Sequence, residues 1–108
     1  MPRYISNTLS YATATVTTGT SYAAAINDRV LCTAGGITIT LPISTSLTVG
    51  DTVQIIDVAG AAGGSPIIVA RNGANIQGVA DTLSIDTNNA SPVLIYTGAT
   101  YGWVIAGS

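Results

Sequence analysis

Apolar and polar side chains alternate along the chain with a period of two residues. The alternation is clearest in residues 37–41, where three aliphatic side chains are separated by threonines. A period of two places successive side chains on opposite faces of an extended strand. Pro42 follows and has no N–H for strand pairing, so we expect the strand to end there. The pattern predicts a strand with one aliphatic face and one Thr-rich face.

Similar short runs recur and are separated by turn signals such as Asn72-Gly73. The predicted strands cover residues 22–26, 29–33, 37–41, 52–58, 67–70, 83–85, 92–96 and 103–105. Within residues 52–58 the phase of the alternation shifts between Ile55 and Ile56, which indicates either burial of both faces or a β-bulge. Short strands with a turn about every 8–12 residues are typical of β-sandwiches and small barrels. We therefore predict an all-β fold, an antiparallel β-sandwich or small barrel of about eight strands.

Residues 1–20 form a segment rich in Ser and Thr, with few apolar side chains. Two interpretations are open: a flexible leader, or an extended arm that adds a strand to a neighbouring subunit. Threonine prefers strand geometry, which favours the second. The predicted organisation is an N-terminal arm over residues 1–20 and a β-sandwich domain over residues 21–108. The candidate assembly contacts are the apolar residues of the arm, Tyr4, Ile5, Leu9 and Tyr11.

Composition and charge exclude several function classes. Only 7% of residues are charged, against about 25% in an average soluble domain. The three basic residues are too few to follow a nucleic-acid backbone. The chain has no histidine and one cysteine, which excludes a Ser-His-Asp triad, a His-ligated metal and an internal disulfide. No apolar run approaches the length of a membrane span, so we expect neither a nucleic-acid nor a membrane partner.

The five aspartates do not predict a catalytic pair or a metal site. Asp51 and Asp57 lie at opposite ends of one predicted strand, about 20 Å apart, which is too far for a glycosidase pair within one chain. A hydrolase would need carboxylates from two subunits within about 10 Å of each other. The loop after Asp86 lacks the acidic spacing of a calcium site. We expect turn capping by these residues, a buried thiol at Cys32, no cofactor and no enzymatic activity.

Three aromatic residues lie close together near the C-terminus: Tyr96, Tyr101 and Trp103. Aromatic rings can pack in the core or at its rim, or they can form a platform on which a sugar stacks. Both interpretations are open from the sequence. In the second, these three residues are the candidate glycan-binding site.

Several motifs follow one another along the chain: a strand ending in Leu-Pro (37–42), a Gly-led strand of Val and Ile (50–57), a glycine-punctuated middle (66–69 and 76–78), and final strands at 93–98 and 103–105. Their order resembles a β-domain of tailed-bacteriophage virion surface proteins, which include head fibres, capsid decorations and tail-fibre modules. The resemblance spans residues 22–105. It implies a non-enzymatic structural module, often trimeric, and it transfers no catalytic residue.

Physical arguments agree with such a role. A domain of this size hides only about 65% of its unfolded surface, and with 47% hydrophobic residues part of the apolar area should remain outside a single-chain core. Edge strands without Lys or Glu would aggregate if left open. We therefore expect an obligate homo-oligomer, a trimer, attached to a larger assembly.

The expected function is that of a capsid decoration (cement) protein on the outer surface of the head. Its partner would be the major capsid protein or another virion component. The chain has no long shaft, which favours decoration over a fibre. It would be made in the host bacterial cytoplasm and located at the virion surface. The alternative is a tail-fibre or adsorption module that binds host-surface glycans.

Overall fold

The computed structural model describes residues 14–107, and its regular structure is almost entirely β. The strands are β1 (Thr15–Thr18), β2 (Tyr22–Ala23), β3 (Arg29–Cys32), β4 (Thr38–Thr40), β5 (Thr52–Asp57), β6 (Ile67–Ala70), β7 (Leu83–Ile85), β8 (Val93–Tyr96) and β9 (Trp103–Gly107). A single turn of 3₁₀ helix, Ser44–Ser46, precedes β5. In this part of the chain no helix is long and apolar enough to cross a membrane. The predicted all-β class is confirmed.

The strands form two mixed sheets. One has five strands in the order β1-β3-β5-β8-β9, and the other has four in the order β2-β4-β6-β7. From β1 to β6 the chain alternates between the sheets, so each strand is followed by one in the opposite sheet. Two successive strands of one sheet, separated along the chain by one strand of the other sheet, run in the same direction and pair in parallel. After β6 the alternation stops: β7 lies beside β6 in the four-stranded sheet, and β8 and β9 lie side by side in the five-stranded sheet. The pairs β6–β7, β5–β8 and β8–β9 are antiparallel.

The predicted antiparallel pairing is therefore wrong for four strand pairs. A period of two shows which side chains share a face, but it does not show which strand lies alongside. Strands β3 and β4 are close in sequence and look like a hairpin, yet they belong to different sheets. Parallel neighbours need a crossover connection, and here a strand of the opposite sheet supplies it.

The C-terminal part of the predicted arm lies in the five-stranded sheet of its own chain. Strand β1 pairs in parallel with β3, with Thr15 opposite Arg29. The Arg29 N–H donates to the Ala14 carbonyl at 2.9 Å. The predicted contacts Tyr4, Ile5, Leu9 and Tyr11 lie outside the described residues. The arm over residues 1–20 and its division from the domain at residue 20 stay predictions.

The inward-facing side chains of both sheets form one hydrophobic core. Its fully buried members include Val30, Cys32, Ile39, Val53, Ile55, Ile67, Val69, Leu94 and Trp103. Burial of each large aliphatic side chain stabilises the fold by about 1.5–3 kcal/mol. Cys32 is a free, buried cysteine, as predicted. The strand positions that alternate with these residues point away from the core, and they form the candidate site.

Candidate functional site

The side of the five-stranded sheet that faces away from the core is largely aliphatic. In β8, Leu94 is buried in the core, so Val93 and Ile95 point to the opposite side. The same alternation applies to the neighbouring strands. The aliphatic residues on this side, all half-buried, are Leu31, Ile56, Val93, Ile95 and Val104; they are called the outer face below. All nine described strands belong to the two sheets, so none of them covers the outer face.

Strand register makes the outer face a connected surface. Leu31 lies directly opposite Ile56 on the neighbouring strand, and Ile95 lies directly opposite Val104. Val93 lies opposite Gln54, which places it diagonally from Ile56. Side chains at such positions touch across a sheet. The outer face therefore extends over β3, β5, β8 and β9.

Two polar side chains on the outer side of this sheet, Arg29 and Gln54, are hydrogen-bonded within the chain. The Arg29 Nε donates to the Gln54 Oε1 at 3.3 Å. The Gln54 Nε2 donates to the Ser91 carbonyl at 3.4 Å. None of the strand residues that share this side is acidic. The sheet face that water reaches normally carries polar side chains, which alternate along each strand with the buried apolar ones. An aliphatic face with few charges is instead typical of a contact surface.

The sequence contained a signal for this surface. The adjacent Ile55 and Ile56 indicated either burial of both faces or a bulge. In the structure, burial alternates regularly along β5, and its pairing with β3 and β8 shows no register shift. Ile55 therefore lies in the core and Ile56 on the outer face, beside the polar Thr52 and Gln54, and the interpretation as a bulge is wrong. The register shift in this sheet lies between Val93 and Leu94 instead.

A small apolar groove lies between the outermost strands β7 and β9 of the two sheets. Its volume is about 190 Å³, and it is lined by Leu83, Ser84, Ile85, Asp86, Thr87, Ala90, Pro92 and Ile105. Ile105 alternates inward like Trp103 but remains 36% exposed, because the core is open at this edge. Small-molecule pockets are usually about 300–1,000 Å³. The groove therefore has room for a few side chains rather than for a cofactor.

The predicted aromatic platform is not present. Trp103 is fully buried and Tyr96 is 9% exposed. Their rings pack edge to face in the core, with centroids 5.7 Å apart. Tyr101 is 64% exposed in the loop before β9 and is the one ring of the three that solvent reaches. A sugar stacks on an exposed ring face, so these three residues do not form a joint glycan site.

The buried carboxylates act as structural acceptors. Asp57 Oδ2 accepts from the Ala62 N–H at 2.9 Å and from the Asn89 N–H at 3.1 Å, and Oδ1 accepts from the Ala61 N–H at 3.2 Å. Burial opposes ionisation of Asp57, but these backbone donors outweigh it and lower its pKa. Asp28 accepts from the Tyr22 hydroxyl at 2.8 Å. That hydrogen bond raises the pKa of Tyr22.

The described residues offer no candidate metal centre. Within residues 14–107, no three Cys or Asp side chains lie close enough together to hold a metal ion. Cys32 lies opposite Asp57 in the sheet. Burial, together with the nearby Asp57 charge, raises the pKa of its thiol to about 11, so it is protonated at neutral pH. The predicted capping role is confirmed for Asp51, which accepts from the Thr48 N–H at 2.8 Å.

Comparison with known proteins does not assign the chain to a family. No protein-family model matches it, and no curated protein matches it. The function of the chain is therefore inferred from two of its surfaces. These are the outer face of the five-stranded sheet and the groove between β7 and β9.

Proposed function

We propose that the chain is a non-enzymatic structural protein of a bacteriophage virion. In this proposal it binds the outer surface of the head as a capsid decoration, or cement, protein. The observation that carries the proposal is the aliphatic outer face, which no described strand covers. Removing such surface from water contributes about 25 cal/mol per Å² to an association, against which the lost freedom of the subunits must be set. A protein with this surface gains stability by assembling.

The proposed assembly is a homotrimer in which the two sheets of each subunit form the layers of a β-sandwich. The outer face is the proposed contact between subunits. Arg29 is exposed and hydrogen-bonded to Gln54, so its charge can stay in water at the rim of the contact. The trimeric state follows from the resemblance to virion surface domains.

The proposed partner is the major capsid protein or another virion component. A decoration protein binds the assembled shell and not its dissociated parts, so it stabilises the shell by mass action. The chain would be made in the host bacterial cytoplasm and carried on the virion surface. Neither nucleic acid nor a membrane is part of the proposal.

The alternative, an adsorption module that binds host-surface glycans, has weaker support. Its three proposed rings are not exposed together, and only Tyr101 is accessible. The loop that holds Tyr101 also lies beside Gly78, whose added Cβ would contact the Tyr101 ring at 3.6 Å. One exposed ring offers less stacking surface than the predicted platform of three rings.

Immunogold electron microscopy tests the location. Purified particles of the phage that encodes the chain are labelled with antibodies against the folded protein. Label over the heads is the expected result. Label confined to the tail fibres would support the adsorption module instead, and particles without label would contradict both.

A matched pair of substitutions tests the role of the outer face. Ile95→Asp places a charge in the centre of the outer face, whereas Thr40→Asp places one at a half-buried position outside the core on the four-stranded sheet. We expect Ile95→Asp to reduce both oligomer formation and particle binding at least tenfold and to retain the β-type circular dichroism spectrum. Thr40→Asp should retain both. Equal behaviour of the two folded variants would contradict the assignment of the outer face.

A further inference from the structure

We propose that the groove between β7 and β9 receives residues 1–13 of a second copy of the chain. This inference rests on the proposed oligomeric structural function and deepens it. The groove is an unclosed edge of the core, where the inward-facing side chains Leu83 and Ile105 remain accessible. Its volume of about 190 Å³ suits a few apolar side chains.

Strand β7 has an open backbone edge beside the groove. The Ile68 N–H donates to the Ile37 carbonyl at 3.0 Å, in the direction of β4. Neighbouring residues of a strand direct their backbone groups to opposite sides, so Ile67 and Val69 bond to β7. Their partners on β7 are Ile85 and Leu83. Ser84 lies between these two partners, so its N–H and C=O point away from β6. No other described strand pairs with this side of β7.

The edge of β9, in contrast, is occupied. The Gln77 N–H donates to the Trp103 carbonyl at 2.7 Å. The Gln77 Oε1 accepts from the Ile105 N–H at 2.9 Å. An incoming extended segment can therefore pair with β7 and insert alternate side chains into the groove, in the manner of β-strand addition.

Charge favours residues 1–13 over a second β7 strand as the occupant. Asp81 and Asp86 flank β7, and both are exposed. The Asp86 carboxylate has no hydrogen-bond or ion-pair partner among residues 14–107. Two antiparallel β7 strands related by a twofold axis would bring Asp81 of one copy close to Asp86 of the other, which is unfavourable. Residues 1–13 contain Arg3 and no acidic residue.

The pattern and length of residues 1–13 also suit the groove. The segment carries spaced apolar side chains at Tyr4, Ile5, Leu9 and Tyr11, separated mainly by Ser, Thr and Asn. It enters β1, which lies at the opposite edge of the five-stranded sheet from β9. Four strand spacings separate these edges, about 19 Å, and 13 extended residues span about 43 Å. Donation from one edge to the opposite edge of the next copy is a heterologous contact, the type that forms a ring such as a trimer when the rotation between copies closes.

Disulfide trapping in the full-length chain tests the inference. The variant Ser10→Cys/Ser84→Cys is oxidised at pH 8 and separated on a non-reducing denaturing gel, and Ser6→Cys/Ser84→Cys is tested in parallel. Cys32 does not interfere, because it is buried and the pKa of its thiol is about 11. We expect covalent oligomers to form at least ten times faster than in the control with exposed Thr45→Cys in place of Ser84→Cys.

Other results overturn the inference. A disulfide formed only within one chain would make the chain's own segment the occupant. Rates equal to the Thr45→Cys control for both arm positions would exclude the groove as the receptor. We also expect Arg3→Glu to slow trapping about tenfold and Asp86→Arg to restore it in the same chain, whereas unchanged rates would contradict the charge pairing.

Light scattering of the same samples before oxidation gives the mass of the oligomer. This mass distinguishes a failure of the groove assignment from a failure of the proposed function. An oligomer without trapping at position 84 overturns the groove assignment and leaves the proposed function intact. A monomer that stays monomeric at the highest concentration overturns the proposed function and the groove assignment together.

Discussion

Replacing Asp57 by Asn tests how the buried carboxylate stabilises the loops after β5 and before β8. Asp57 accepts three backbone N–H groups, from Ala61, Ala62 and Asn89. An asparagine has one acceptor oxygen, and its amide nitrogen would meet a donor. Each hydrogen bond to a charged group contributes about 1.5–3 kcal/mol, and a buried unsatisfied donor costs about 1–3 kcal/mol. We expect Asp57→Asn to lower the free energy of unfolding by about 3 kcal/mol at pH 7.

The assay is urea unfolding followed by the fluorescence of Trp103, the one tryptophan of the chain. Backbone hydrogen bonds hold the pKa of Asp57 below its unfolded value despite the opposing effect of burial. The stabilisation by ionised Asp57 is therefore complete above the unfolded pKa of about 3.9 and is lost as the pH falls through the folded pKa. The difference between the wild type and Asp57→Asn should shrink below about pH 4.

The control for this experiment is Asp81→Asn, because Asp81 is exposed and its Oδ1 accepts only from the neighbouring Thr82 N–H. It should change the free energy of unfolding by less than about 0.5 kcal/mol. The reasoning is refuted if Asp57→Asn is as stable as this control at pH 7. It is also refuted if the difference from the wild type grows on acidification.

Three further predictions use the same unfolding measurements or simple thiol chemistry. Gly102→Ala should destabilise the fold by about 3 kcal/mol, because Gly102 has a φ of +69° and an added Cβ would clash with the Asn75 carbonyl oxygen, whereas Gly64→Ala meets nothing within 4 Å and should cost little. Trp103→Phe should cost about 1 kcal/mol against about 4 kcal/mol for Trp103→Ala, because the buried indole N–H has no hydrogen-bond partner to lose; unfolding of these two variants, which lack the fluorescent tryptophan, is followed by circular dichroism, and equal costs would contradict this. Cys32 should react with a thiol reagent at pH 8 only after unfolding, and rapid reaction of the folded protein would contradict its burial.

The sequence predicted the class and the approximate position of most strands, because alternation is a local property. Within the predicted strand 37–41, Thr38–Thr40 form β4, and Ile37 and Leu41 on either side of it are buried. Pairing was not predictable in the same way, since it depends on which sheet the chain enters after each turn. The parallel partner of β3 is β5, and β4 between them belongs to the opposite sheet. No local pattern distinguishes this arrangement from a hairpin.

The candidate site was predictable only in part. Tyr101 and Trp103 are two residues apart, which would place them on one face of a continuous strand. Gly102, with its positive φ, interrupts the alternation between them, so one ring is exposed and the other is buried. The aliphatic pair Ile55 and Ile56 did place one aliphatic side chain on each side of β5. The groove could not be found from sequence, because it arises where two strand edges from different sheets lie side by side.

Sedimentation equilibrium of the wild-type chain tests most directly whether its uncovered aliphatic sheet requires assembly. The account predicts a single species whose mass is three times the 10.8 kDa chain mass, unchanged over a hundredfold range of concentration. A well-dispersed species of 10.8 kDa at the highest concentration would contradict it.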